Sequence, residues 1–119
     1  MDIKKQYFEL VKDRISFSYE SQKDKFKKVA AMFGECMDKQ GVVQLFGYGH
    51  CEEFVNELNY RAGGIAPFHA YKFRDLILKK LVNNDDVVSG KVFENGDVIS
   101  LFEQVYQLDD RDMYVLVSF

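Results

Sequence analysis

A glycine-rich turn between an apolar run and an amphipathic segment constrains the fold of this chain more than any other feature. Residues 42–46 read VVQLF, a short β-branched and aromatic run that is typical of a buried parallel strand. Gly47 and Gly49 follow at once, and residues 52–60 carry apolar side chains at helical spacing. A strand, a tight turn and a helix in this order predict an α/β fold whose turn can hold an anion.

The two glycines do not by themselves identify a ligand. Position 52 is Glu where a dinucleotide-binding fingerprint carries its third glycine, and the Gly-Lys-Ser/Thr end of a P-loop is absent. The pattern therefore leaves two interpretations open, an anion-binding loop and a strand-to-helix turn without a ligand.

Length and composition predict one folded domain over residues 1–119. The chain has 119 residues, 47% of them hydrophobic, which is enough for a single core. Its net charge of −3 gives no general attraction to nucleic acid or to an anionic membrane surface, so neither is expected as a partner. Cys36 and Cys51 fall in different predicted elements without a CxxC motif, which favours reduced thiols in a cytoplasmic protein.

Two amphipathic helices are predicted ahead of the first strand. Apolar residues recur at helical spacing over residues 3–15 and 26–37, with a break near Ser16 to Ser21. The second helix is expected to start at Ser21 and to stop near Gln40-Gly41, where glycine can take the left-handed position.

The second half of the chain predicts further strands and helices in alternation. A second strand is expected over residues 65–71, followed by a short helix from Phe73. Because Pro67 lacks an N–H group, it is expected either at a sheet edge or among the first residues of that strand. Residues 87–93 are expected to be extended, Asp97 to cap another helix, and residues 113–119 to form a buried parallel strand.

The stretch LFGYGHCEEFVNELNYRAGG at residues 45–64 resembles the opening of a SIS (sugar isomerase) phosphosugar-binding domain, most closely that of uncharacterised bacterial SIS-domain proteins. The likeness extends from about residue 3 to the final strand. The matching positions are Gly47, Gly49, His50, Glu57, Leu58, Tyr60, Arg61, Ala62, Gly63 and Gly64.

The resemblance implies a three-layer, doubly wound parallel sheet in which two loops hold the phosphate of a sugar. The first loop comprises the ligand-binding candidates Gly47, Tyr48, Gly49, His50 and Cys51. Tyr48 and Cys51 stand where the family commonly has serines, so two hydroxyl donors are lost and a tyrosine ring is expected to fill or cover the pocket. The family's second, serine-rich loop should follow residue 118, and the chain is expected to be an incomplete SIS domain that ends at residue 119.

The resemblance implies a catalytic role for the residues of this chain less clearly than it implies a binding role. Glu57 is the only carboxylate at a matching helix position; the alternative is a surface carboxylate paired with Arg61. Lys72 stands where aldose–ketose isomerases carry a glutamate. His50 is either a phosphate donor or a cap residue, and His69 is expected to be a packed polar residue. No metal-ligand spacing is present, and no metal or cofactor is expected.

The function expected from the resemblance is a truncated or degenerate domain that binds a sugar phosphate or a related anion with little or no isomerase activity. Two alternatives remain open. The chain is a structural subunit that uses the scaffold to dimerise, or it is a half-site of a phosphosugar isomerase completed by a partner chain. The expected partners are a phosphorylated sugar and a second SIS chain, most simply in a homodimer.

Overall fold

The chain folds into a long helix and a small α/β unit. The computed structural model describes residues 2–59, 61–94 and 96–118. The chain divides into two compact units, residues 1–35 and residues 36–119. The elements in chain order are α1 (Ile3–Asp38), β1 (Val43–Gly47), α2 (Cys51–Leu58), β2 (Phe68–Ala70), α3 (Phe73–Leu78), α4 (Asn84–Ser89), a 3-10 helix (Lys91–Phe93), α5 (Val98–Glu103) and β3 (Met113–Val117).

Helix α1 is continuous, so the prediction of two helices separated by a break was wrong. Residues 16–21 contain neither glycine nor proline, and serine and aromatic residues are tolerated inside a helix. The Ser21 hydroxyl donates to the Ser18 carbonyl at 3.3 Å instead of capping a new helix. Residues 16–21 therefore interrupt the hydrophobic pattern of the sequence but not the helix itself.

The end of α1 also differs from the prediction. Gln40, rather than Gly41, takes the left-handed conformation, with φ of 57°. Gly41 is needed for a different reason, because a Cβ atom there would lie 2.1 Å from the carbonyl oxygen of Arg111. Close approach of the segment before β3 thus requires a glycine at this position.

The three strands form a parallel sheet in the order β2-β1-β3. This confirms the predicted α/β class, and β2 lies at an edge directly after Pro67, as the missing N–H group predicts. Asp112 fixes the register of β3, because its carboxylate accepts from the Val42 N–H at 2.8 Å and from the Gln44 side-chain amide at 2.9 Å.

Helices cover both faces of the sheet. Val43 and Leu45 of β1 and Val55 of α2 are fully buried on one face. Side chains alternate along a strand, and on the other face Phe46 packs edge-on against Phe73 and Phe102 with ring centroids 6.0 and 5.9 Å away. The predicted three-layer arrangement is confirmed.

Two predictions for the second half were wrong. Residues 87–93 are mostly helical, because the Asn83 side chain accepts from the Asp86 N–H and starts α4, and Gly90 (φ 79°) ends it. Strand β3 is half-exposed rather than buried, because it forms an edge of the sheet. The predicted cap is confirmed, since the Asp97 carboxylate accepts from two N–H groups at the start of α5.

Candidate functional site

The loops that follow the strands gather at one edge of the sheet. Because all three strands are parallel, their carboxyl ends lie together. Residues 48–50 follow β1, Tyr71 and Lys72 follow β2, and Ser118 follows β3. Ligand sites in open α/β sheets lie in this position.

Glycine is required at two positions of the β1–α2 turn for different reasons. A Cβ atom on Gly47 would lie 2.5 Å from the Cys51 carbonyl oxygen, so only glycine lets the helix start so close to the strand. Gly49 has φ of 64°, a conformation that side chains disfavour, and it has open space around it. The turn is therefore tight on its inner side and open on its outer side.

The turn leaves two backbone donors uncommitted. The Cys51 N–H donates to the Tyr48 carbonyl at 3.3 Å and the Glu52 N–H to the Gly49 carbonyl at 3.1 Å. Within the described part of the chain, the N–H groups of Gly49 and His50 have no hydrogen-bond acceptor. Free N–H groups at the start of a helix attract anions.

Tyr48 is tied down by three contacts. Its hydroxyl donates to the Val87 carbonyl at 2.6 Å. Its ring packs edge-on against Phe93 and Phe73, with centroids 4.9 and 5.8 Å away. The side chain thus fastens the turn to α4 and the 3-10 helix, and it supplies no hydroxyl donor to a ligand at the turn.

His50 and Cys51 occupy the helix start in contrasting ways. His50 is exposed at the N-cap of α2, and its side chain makes no capping hydrogen bond. Cys51 is buried and its thiol is free, as is that of Cys36. His50 is therefore available to an external group through its side chain, whereas the Cys51 thiol is buried and the Cys51 N–H is already committed to the Tyr48 carbonyl.

A charged cluster beside the turn was not predicted from the sequence. The Lys72 ammonium lies 3.1 Å from the Glu52 carboxylate and also donates to the side-chain oxygen of Asn56. Glu52 and Glu53 place negative charge in the first turn of α2, and Lys72 offsets part of it. These partners are 20 and 16 residues apart in the chain, which is why local patterns do not reveal them.

Glu57 lies at the other end of α2. It is six residues from the helix start, which corresponds to roughly 9 Å along the axis. Its carboxylate pairs with Arg61, and its side chain is 72% exposed. This geometry is the one expected if Glu57 is a surface carboxylate paired with Arg61. A catalytic role of Glu57 stays a prediction.

The Arg-Ala-Gly-Gly part of the motif lines a cavity of its own. The cavity has a volume of about 390 Å³, and its lining includes Arg61, Ala62 and Gly64 together with residues that precede β2. Tyr60, a matching position of the resemblance, and Phe119, the last residue of the predicted final strand, lie outside the described residues.

His69 belongs to a chain of polar side chains across the sheet. Its Nδ1 lies 2.7 Å from the Gln44 side-chain oxygen, and the Gln44 amide donates to Asp112. Since the Gln44 oxygen must accept, Nδ1 carries the proton. Burial lowers the pKa of His69, although the carboxylates of Asp75 and Asp112 oppose this effect. His69 is thus a packed polar residue, as expected from its strand position.

The described residues contain neither a metal-binding cluster nor a helix that could span a membrane. No group of three or more histidine, cysteine, aspartate or glutamate side chains in residues 2–59, 61–94 and 96–118 could hold a metal ion. In the same part of the chain, every helix is too short or too polar to cross a membrane.

Comparisons with known proteins give one family match and several relatives. The model of the family described as SIS domain matches residues 6–119. A UPF0309 protein of Geobacillus kaustophilus is 28% identical over 114 residues, which is 95% of this chain and 43% of the relative. A UPF0309 protein of Listeria innocua is 36% identical over 99 residues, which is 83% of this chain and 38% of the relative.

These comparisons also set the limits of the likeness. The chain spans less than half the length of the curated relatives it matches. No solved structure matches the chain.

Proposed function

Because the chain belongs to the SIS domain family, we propose that it binds the phosphate group of a phosphorylated sugar at the β1–α2 turn, with little or no isomerase activity. The observation that supports this most directly is the pair of uncommitted N–H groups of Gly49 and His50 at the start of α2. They belong to a turn in which Gly49 is left-handed and a Cβ atom on it would have no atom within 4 Å.

Three groups at the turn act on the phosphate. The backbone N–H groups of Gly49 and His50 donate to its oxygens, and the exposed imidazole of His50 adds a donor. Lys72 keeps the local potential from becoming strongly negative by pairing with Glu52. With Tyr48 tied to Val87 and the Cys51 thiol buried, hydroxyl donors are missing, and binding is expected to be weak.

The two positions that the resemblance offers for isomerase chemistry do not place a base at the turn. Enolisation requires a base within hydrogen-bond reach of the substrate carbon. Glu57 is separated from the turn by most of α2 and pairs with Arg61. Lys72, at the other candidate position, is a cation engaged by Glu52 and Asn56.

Calorimetric titration tests the binding proposal. Glucosamine 6-phosphate and fructose 6-phosphate should bind, whereas glucosamine and fructose should not. Lys72→Gln should weaken binding several-fold because it leaves Glu52 unbalanced beside the site. Lys79→Gln is the matched control, since Lys79 follows the opposite end of α3. Equal responses to the phosphorylated and unphosphorylated sugars, or none at all, would exclude the proposal.

A second candidate function is that of an interaction subunit. The edge strand β3 exposes Tyr114 and Leu116, and an apolar groove of about 450 Å³ lies beside them. Uncovered edge strands readily pair with other chains. Light scattering at micromolar concentration tests this function, and a strictly monomeric chain would count against it. If the chain is instead a half-site of an isomerase, it should turn over sugar phosphates only when a partner chain is present. Glu57→Gln should abolish that turnover.

A further inference from the structure

A second cavity lies at the end of the sheet opposite to the β1–α2 turn. It has a volume of about 430 Å³, which is within the range of ligand sites. His69 of β2 lines it, and we call it the His69 cavity. The rest of its lining combines residues that precede β1 and β2 with residues that follow α5, among them Val42, Pro67, Val105, Tyr106 and Gln107. The five residues of β1 place the cavity roughly 15 Å from the turn, so it is separate from the proposed phosphate site.

Hydrogen bonds that cross the sheet fix the tautomer of His69. Asp112, directly before β3, accepts from the Val42 N–H at 2.8 Å and from the Gln44 side-chain amide at 2.9 Å. The Gln44 side-chain oxygen is thereby turned toward His69, and it accepts from Nδ1 at 2.7 Å. Nδ1 therefore holds the imidazole proton, and Nε2 holds a lone pair. Because burial lowers the pKa of His69, the ring is neutral at pH 7 and Nε2 keeps that lone pair.

The lone pair on Nε2 lacks a donor. Within the part of the chain that the structure describes, the hydrogen bond of the His69 ring is the one made by Nδ1. Nε2 is also not sealed from solvent, since the Tyr71 hydroxyl is the one fully buried side-chain N or O atom without a partner among the described residues. The two ring nitrogens point in diverging directions and Nδ1 faces β1, so Nε2 faces the outer side of the edge strand β2, where the cavity lies.

Aromatic side chains form a rigid wall of the His69 cavity. The Tyr106 hydroxyl donates to the Asp75 carboxylate, and its ring stacks on Phe102 with centroids 5.9 Å apart. The same ring packs edge-on against His69 at 4.5 Å, and Phe68 adds a second aromatic surface to the lining. Flat walls held in this way favour a planar ligand, because few side chains must be ordered when it binds.

The charges around the His69 cavity favour a neutral ligand. Among the described residues, those that line it carry no formal charge at pH 7. A charged ligand would therefore lose hydration without gaining an ionic partner. The carboxylates of Asp112 and Asp75 lie one hydrogen bond behind Gln44 and Tyr106, which disfavours an anion in particular.

We propose that the His69 cavity binds a neutral, planar ring compound that carries an N–H or O–H group, and that His69 Nε2 accepts a hydrogen bond from this group. The ring of the ligand lies against Phe68 and Tyr106. Gln107, exposed at the cavity, offers an amide to a second polar group of the ligand. The site belongs entirely to the α/β unit and is independent of phosphate binding at the turn.

Two matched pairs of small molecules test the acceptor role of Nε2. Phenol is compared with anisole, and indole with 1-methylindole, because each pair differs by replacement of the donor hydrogen with a methyl group. Phenol and indole should bind with dissociation constants on the order of 1 mM. Their methylated counterparts should bind about three- to ten-fold more weakly, as expected for loss of one hydrogen bond.

Nitrogen-15 NMR of the labelled chain reports the contact directly. The chain has two histidines, and the spectrum of His50→Gln assigns the signals of His69. Phenol and indole should shift the Nε2 signal of His69, whereas anisole and 1-methylindole should leave it nearly unchanged. Before any ligand is added, the spectrum should show the Nδ1-protonated tautomer.

A substitution at the cavity locates the binding. Gln107→Trp places a large side chain at the cavity and should weaken phenol and indole binding at least five-fold. Gln104→Trp is the matched control, since Gln104 is also exposed on the same segment but does not line the cavity. Absence of binding by both phenol and indole would overturn the proposal. So would equal affinities within each pair, an Nε2-protonated tautomer, or unchanged binding in Gln107→Trp.

Discussion

Replacing glycine by alanine at two positions of the β1–α2 turn should have very different costs. In Gly47→Ala the new Cβ would lie 2.5 Å from the oxygen and 2.7 Å from the carbon of the Cys51 carbonyl. Both distances are below any real contact, so the first turn of α2 must move away from β1. Overpacking of this kind typically costs 1–3 kcal/mol, and backbone atoms yield least, so a loss of about 3 kcal/mol is expected.

Gly49→Ala should cost much less. No atom lies within 4 Å of the added Cβ, and the only penalty is the positive φ of 64°. That conformation costs an alanine roughly 1 kcal/mol relative to glycine. Gly96→Ala is the control, because Gly96 has neither a near contact nor a positive φ, and its substitution should be neutral or slightly stabilising.

Urea unfolding followed by near-ultraviolet circular dichroism measures this ranking. The signal comes from packed aromatic rings such as Tyr71 and Tyr106, whose centroids lie 5.0 Å apart in the α/β unit. Far-ultraviolet signals would be dominated by α1, which belongs mostly to the other unit. If Gly47→Ala proves as stable as Gly49→Ala, close strand-to-helix contact does not explain the glycine at position 47.

Three other side chains test separate contacts of the α/β unit. Burial lowers the pKa of His69 below 6.5. The stability that neutral His69 contributes is therefore complete above about pH 6.5 and is lost as the pH falls below this value. Between about pH 7.5 and pH 5.5, the free energy of unfolding should drop less in His69→Gln than in the wild type. Tyr48→Phe should lower the free energy of unfolding by about 0.5–1 kcal/mol by removing the hydrogen bond to Val87, and an unchanged urea midpoint would contradict the tether. Asp97→Ala should lower the melting temperature more than Asp97→Asn, which keeps an acceptor for the N–H groups of α5; equal melting temperatures would argue against the cap.

Features that depend on a few neighbouring residues could be predicted from the sequence. The turn after β1 follows from Gly47 and Gly49, and the start of α5 follows from Asp97, because each requires only local geometry. Pro67 directly precedes the edge strand β2, in keeping with its missing N–H group. In each case one residue has a single physical requirement that the sequence displays directly.

Local patterns failed where neighbouring elements decide the outcome. The serines at 16–21 were predicted to interrupt the helix, but serine is only a weak helix breaker and α1 continues through them. Gly41 was predicted to end the helix by adopting the left-handed conformation. Glycine is required there instead because the Arg111 carbonyl lies too close to leave room for a Cβ atom. The exposure of β3 depends on which strands lie beside it, which its own sequence does not encode.

The candidate site was predictable in its backbone and not in its side chains. The Tyr48 tether joins residues 39 positions apart, and the Lys72–Glu52 pair joins residues 20 positions apart. Periodicity and spacing describe one element at a time, so contacts between elements are invisible to them. The sequence therefore indicated the backbone geometry of the turn but not which charges surround it.

The link between Asp112 and Val42 has a consequence for the order of folding. It joins residues 70 positions apart, and β3 pairs with β1 across the same interval. Closing so long a loop costs chain entropy before any strand contact compensates for it, and folds with distant contacts form slowly. Helix α1, with contacts only a few residues apart, can form within about a microsecond. During synthesis the helix therefore precedes the sheet, and β1 must wait until residues 113–117 have emerged before its pairing with β3 is complete.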